Sequence, residues 1–125
     1  MIIKALTIII ILLISPAMAQ HPPEDMEIHE KFYSHWNRPA FRDINGNRTE
    51  SCCNNTDCYP AQIKKELGRY WYKRREDGQW RIIPEEILEH NQVDARESPD
   101  GRNHVCAQPP GMSDMVFCAV LGSGQ

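Results

Sequence analysis

Five cysteines and one histidine carry most of the chemistry written into this chain. Cys52, Cys53 and Cys58 form a Cys-Cys-x4-Cys group, and His104-x-Cys106 and Cys118 follow far downstream. In an oxidising compartment such a set reads as a disulfide framework. Two bridges and one leftover thiol can be arranged in fifteen ways, and spacing alone does not choose among them. A bridge between the neighbours Cys52 and Cys53 closes a strained ring and is disfavoured. A bridge from the loop trio to Cys106 or Cys118 closes a loop of roughly 50 to 65 residues, which the chain-entropy model values at about 4 kcal/mol. The leftover thiol has three possible uses: pairing between chains, acting as a redox or metal-binding thiolate, or lying inert in the core.

The same residues offer a second chemistry. Thiolates from Cys52, Cys53, Cys58 and Cys106 with the imidazole of His104 would suit Cu(I) or Zn. The paired Cys-x2-Cys and His-x3-His spacings of the common zinc sites are missing, so no metal or other cofactor is expected in the favoured reading. No Ser or Cys sits in a nucleophile motif, and no carboxylate pair is placed recognisably for glycoside hydrolysis. Of the histidines at 21, 29, 35, 90 and 104, only His104 stands beside another reactive group. Asp43, Asn45 and Asn47 copy three positions of a calcium loop, but Arg48 replaces its glycine and Asn54 its glutamate. A turn rich in Asx residues is the better reading.

A third surface is aromatic and basic. Tyr70, Trp71, Tyr72 and Trp80 interleave with Lys73, Arg74, Arg75 and Arg81. Rings and cations on one face stack on sugars or bases and pair with anionic groups. Trp71, Tyr72, Arg74, Trp80 and Arg81 are therefore the candidate ligand-binding residues. The competing reading puts the rings in a core and leaves the cations wet.

These groups must be positioned by local structure. A helix is expected from about Pro23 to Trp36, opened by proline and by Glu24 and Asp25 near the positive end of its dipole. Its buried face would carry Met26, His29, Phe32, Tyr33 and Trp36. Residues 38 to 57 read as loop. The stretch from Ala61 to Leu67 fits either a short helix or an edge strand. Residues 69 to 84 read as a hairpin turned by Asp77-Gly78. Its preferred register sets Arg74 opposite Trp80 and so avoids a pairing of Arg74 with Arg81. Pro84 to Leu88 looks like a short helix, Arg102 to Ala107 like a strand, and Met115 to Leu121 like a central buried strand. The expected fold class is α+β: an N-terminal helix plus one small antiparallel sheet of three to five strands, disulfide-stabilised.

The first nineteen residues set the compartment. Lys4, the apolar run Ala5–Ile14 and the Ala17-Met18-Ala19 end form a secretory signal peptide. The run is too short to span a membrane and is broken by Pro16. No cysteine follows Ala19, so a lipid anchor is not expected. Residues 20–125 then form a single small exported domain, periplasmic or secreted. The chain has 125 residues and a net charge of −3, which becomes −4 once Lys4 is removed with the signal. A mildly acidic protein is a poor match for nucleic acid or for anionic membranes.

Ser51-Cys52-Cys53 with Asp57-Cys58, Ser98-Pro99-Asp100-Gly101-Arg102-Asn103-His104-Val105-Cys106, and Phe117-Cys118 together resemble a family of small exported bacterial proteins of uncharacterised function. The resemblance covers roughly residues 51 to 118. It implies one constellation of five cysteines and His104 and supplies no activity.

The reading that emerges is an exported, disulfide-stabilised binding or structural module, with the hairpin as contact surface for an unknown ligand or envelope component. Its rivals are a metal-handling protein using Cys52, Cys53, Cys58, His104 and Cys106, and a small secreted hydrolase. N-terminal sequencing of the exported protein is expected to begin at Gln20; recovery of a full-length, membrane-embedded form would contradict the signal assignment.

Overall fold

Alternation of side chains along a strand decides how this chain folds. The computed structural model describes residues 23–53, 57–112 and 114–123. The expected signal peptide, the Gln20 start, His21, the side chain of Met26 and Asn54 lie outside what is described. The elements are helix α1 (Pro23–Lys31) and strands β1 (Cys58–Pro60), β2 (Ile63–Glu66), β3 (Arg69–Lys73), β4 (Trp80–Ile83), β5 (His104–Ala107) and β6 (Val116–Val120). They build two three-stranded antiparallel sheets, ordered β1-β5-β6 and β2-β3-β4.

This corrects the α+β expectation of a long helix on a single sheet. The fold is mostly β, with one helix of nine residues among the described residues. The helix ends early because Phe32 leaves helical geometry at φ −127° and the chain tightens into a 3-10 turn over Tyr33–His35. That turn directs Phe32, Tyr33 and Trp36 into one buried cluster. The strands split into two sheets at Pro60-Ala61-Gln62, where proline has no N–H to continue a ladder.

Sheet β1-β5-β6 is covered on both faces. Along β5, Val105 and Ala107 face the second sheet and pack with Tyr59, Ile63, Tyr72, Ile83 and Leu88. Cys106 faces the other way, toward Phe32, Tyr33 and Trp36, with His104 ring-to-ring against Phe32 and Tyr33 on that side. All four residues of β5 are buried, so β5 and not β6 is the central strand. β6 is an edge, capped where Leu88 forms a parallel bridge to Ala119. Each fully buried aliphatic side chain here contributes about 1.5–3 kcal/mol.

Cys58 bridges Cys106, its direct partner in the β1–β5 register, with Cα atoms 4.0 Å apart. Cys52 bridges Cys118 across a sequence separation of 66. Both bridges lie in the cluster with Phe32, Tyr33 and Trp36 and so tie the 37–51 loop and β1 to the sheet. Cys53 stands outside both bridges. The 37–51 loop is itself an irregular antiparallel hairpin, with bridges Asn37–Ser51 and Arg42–Arg48. Glu89, 1% exposed, holds it down. Its carboxylate accepts the Trp36 indole N–H at 2.9 Å and two Arg48 guanidinium N–H groups at 2.8 and 2.9 Å.

Within Ala61–Leu67 the chain forms strand β2, Ile63–Glu66, at the edge of its sheet. Pro84–Leu88 forms a 3-10 turn over Glu85–Ile87 rather than an α-helix. The hairpin pairs Lys73 with Trp80 and Tyr72 with Arg81, not Arg74 with Trp80. The loop is longer than expected because Arg74 N–H bonds Gln79 and Gly78 N–H bonds Arg74. Gly78 supports that turn at φ +70°.

Gly122 shows how tightly the β6 exit packs: a Cβ there would lie 2.0 Å from the Gly101 carbonyl oxygen. The two bridges should dominate stability. Replacing Cys58 and Cys106 together by Ala is expected to lower unfolding free energy by about 2–4 kcal/mol, measured by urea denaturation against the oxidised parent.

Candidate functional site

The outward face of sheet β2-β3-β4 gathers the aromatic and basic residues that remain near solvent. One cross-strand row runs Lys64–Trp71–Ile82, and the next pair is Lys73–Trp80. Trp71 and Trp80 are half-buried. The Lys64 ammonium sits 4.3 Å from the Trp80 ring centroid, a cation–π contact. The Trp71 indole N–H donates to the Glu66 carbonyl at 3.2 Å, which fixes the ring against the β2–β3 turn.

Trp80 is a wall shared by two clefts. A cleft of about 580 Å³ lies between Pro60, Gln62, Ile63, Trp80, Arg102 and Asn103. A second, of about 240 Å³, is lined by Trp71, Trp80, Arg81, Ile82 and Asp114. Arg81 pairs with Asp114 at 2.9 Å along the second cleft. The larger cleft lies within the usual size range of small-ligand sites.

Of the five candidate ligand-binding residues, Trp71 and Trp80 share this face; Arg81 pairs with Tyr72 on the opposite face and only lines the smaller cleft. Tyr72 and Arg74 do not reach it. Tyr72 is 1% exposed and belongs to the core between the sheets; burial raises its hydroxyl pKa. Arg74 is buried in the hairpin turn, bound by Asp77 and by Asp114 at 2.9 Å. Those hydrogen bonds raise the Arg74 pKa and pull Asp77 down to about 2. Period-two alternation explains both placements: Tyr72 points opposite to Trp71, and Arg74 lies beyond the last strand pair. Lys64, Gln62, Ile82, Asn103 and Asp114 were not anticipated. Lys64 and Ile82 become visible once β2 is a strand in register with Trp71; Asn103 and Asp114 arrive through tertiary packing and leave no local signal.

The Ser-Pro-Asp-Gly-Arg-x-His segment forms a hydrogen-bonded knot. The Ser98 hydroxyl donates to the Arg102 carbonyl at 2.6 Å. Asp100 accepts the Arg102 backbone N–H at 3.1 Å and its guanidinium at 2.6 Å. It also accepts His104 Nε2–H at 2.7 Å, and His104 Nδ1 meets the Tyr33 hydroxyl at 2.7 Å. A carboxylate only accepts, so Nε2 carries the proton; Nδ1 accepting from Tyr33 satisfies the neutral ring. Burial pushes the Asp100 carboxyl up, but hydrogen bonds from His104 and Arg102 outweigh it and hold it well below the usual carboxylate range.

Asp–His–Tyr is an order that moves protons in active sites. Here His104 is 0% exposed and Tyr33 1% exposed, so no substrate atom reaches either. The arrangement acts as a pin between the turn and the aromatic cluster. The proposed metal donors do not assemble. Cys52, Cys58 and Cys106 are in disulfides, and both His104 ring nitrogens have partners. Among the described residues no group of three or more His, Cys, Asp and Glu side chains is placed to hold a metal ion. Asp43 gives its carboxylate to the backbone N–H groups of Asn45 and Asn47, each at 2.9 Å, as an Asx turn.

No protein-family model, no curated protein and no solved structure matches this chain.

The lowered Asp100 pKa makes a pH-dependent contribution. It is complete above the ordinary carboxylate pKa of about 4 and is lost as pH falls toward the lower folded-state value. Asp100→Asn is expected to destabilise the protein at pH 7 by about 2 kcal/mol. Calorimetry between pH 7 and pH 3 should show that deficit narrowing on acidification; a constant deficit would place its origin elsewhere.

Proposed function

We propose that this protein is an exported binding module, acting outside the cytoplasm in the periplasm or as a secreted domain. Two disulfides support that compartment. Its ligand docks on the outer face of β2-β3-β4, across Trp71 and Trp80. The observation that carries this reading is the position of Trp80, half-buried between two adjoining clefts with a lysine ammonium 4.3 Å from its ring.

An indole fixed in place presents a large apolar face at little entropic cost, and nearby cations favour ring-shaped ligands that carry negative charge. Acidic glycans of the bacterial envelope have both properties. Sugar rings stack on indole, and uronate or phosphate groups meet Lys73 at the rim, or Lys64 and Arg102 in exchange for their partners Glu66 and Asp100. Arg81 and Arg74 are already neutralised by Asp114 and Asp77 and serve to hold the hairpin.

The test is titration of the folded, oxidised protein with oligogalacturonate and with chitooligosaccharide, followed through the indole N–H signals of Trp71 and Trp80. Both signals are expected to shift with the acidic glycan. Trp80→Ala is expected to weaken binding by about tenfold, a stacking contribution of about 1–3 kcal/mol, without lowering the melting temperature. Unmoved indole signals, or a Trp80→Ala protein that binds as well as the parent, would count against the reading.

A further inference from the structure

Arg38 stands apart from the other buried and half-buried arginines. Arg48, Arg74 and Arg81 each pair with a carboxylate. Arg38 has no ion pair among the described residues, and its Nε is buried without a hydrogen-bond partner. Its guanidinium carbon lies 4.3 Å from the ring centroid of Phe41 and 4.3 Å from that of Phe117. Two phenyl rings therefore pack against the cation, and its N–H groups are the route by which it can bind an anion. Burial lowers its pKa, partly offset by the field of Glu50.

The β6 bulge makes the sandwich possible. Cys106 pairs with Cys118 and Ala107 with Val116, so Phe117 is the extra residue. Phe117 therefore escapes strict alternation and turns toward Arg38.

Beside Arg38 opens a cleft of about 460 Å³ where the two sheets meet. Phe41, Ile82 and Met115 form half-exposed walls, at 44%, 38% and 47% exposure, and the buried Ile87 and Val116 form its floor. It shares only Ile82 and Asp114 with the Trp71–Trp80 groove. Asp114 is neutralised by Arg74 and Arg81.

We infer that this cleft binds a monocarboxylate with an apolar chain, of the fatty-acid class, with its carboxylate on the Arg38 edge and its chain against Phe41, Ile82 and Met115. A planar guanidinium edge matches a carboxylate through paired N–H···O bonds, and stacked rings hold that edge in place. A desolvated, unpaired cation is costly, and a ligand carboxylate relieves that cost. The walls choose the chain. A bound peptide would bring backbone amides that need partners; Phe41, Ile82, Met115 and Pro84 side chains offer none, and the lining carboxylates Glu86 and Asp114 only accept, which leaves peptide carbonyls unmatched. An acyl chain has no such groups. This inference does not depend on the glycan reading.

The experiment uses the full-length oxidised protein with decanoate below its micelle concentration. Decanol and an acetylated peptide ending in a free-acid leucine serve as comparisons. Calorimetry is expected to show decanoate binding more tightly than decanol by about tenfold or more, the value of a charge-assisted carboxylate pair. Arg38→Gln should remove that preference while leaving decanol binding in place, Arg38→Lys should restore part of it, and Trp80→Ala should leave it unchanged. In the unmodified protein, decanoate should shift the Arg38 Nε–H signal, which keeps the test valid if the variants fold poorly. Equal binding of decanoate and decanol, an unmoved Arg38 signal, or tighter binding of the peptide would overturn the inference.

Discussion

Strand β5 needs a cover on both of its faces, and the rest of the molecule is arranged to provide two. The second sheet supplies one through Tyr59, Ile63, Tyr72 and Ile83. The other comes from a segment with little regular structure, the end of α1 and the turn that follows. Such a segment cannot hold itself in place through a hydrogen-bond ladder. It is held instead by Tyr33 on His104, by Trp36 on Glu89, and by two disulfides that enter the same cluster. A domain this small has limited apolar area to bury, so cross-links and buried polar pins replace part of a larger core.

The polar pins are efficient because each is closed. Glu89 meets Trp36, Arg48 and the Arg96 backbone N–H. Asp100 is saturated by its own turn and by His104. Removing one partner from such a group leaves a charge or dipole stranded in a poorly solvated place, which costs more than the intact interaction contributes. Arg38 departs from that pattern, and it lies beside an apolar cleft.

Local features of the fold were legible in the sequence where a short-range physical rule applied. Pro23 opens the helix, Asp77-Gly78 turns the hairpin, and Ser98-Pro99-Asp100-Gly101 makes the turn below β5. What failed depended on partners far away in the chain. Nothing near Phe32 announces that the helix stops, because it stops in order to seat three rings on a sheet built from residues 58 to 120. Met115–Leu121 reads as central since it is apolar on both faces, yet its second cover is Leu88 and the aromatic cluster rather than another strand. The candidate site divides similarly. Trp71 and Trp80 follow from hairpin alternation, whereas Arg81 points the other way with Tyr72. Arg38 lies in a stretch that reads as plain loop, and only a bulge at Phe117 gives it meaning.

The connectivity of the two bridges has a consequence for biogenesis. They are nested: the Cys58–Cys106 loop lies wholly inside the Cys52–Cys118 loop. A chain is made from its N-terminus, so Cys52, Cys53 and Cys58 are available for pairing before Cys106 and Cys118. Any bond formed within that trio is non-native and has to be undone by thiolate exchange before both native bridges can close. Cys53, adjacent to Cys52, supplies a nucleophile for such exchange within the chain itself. Nested bridges thus make correct pairing in this small domain depend on exchange between disulfides as well as on their formation.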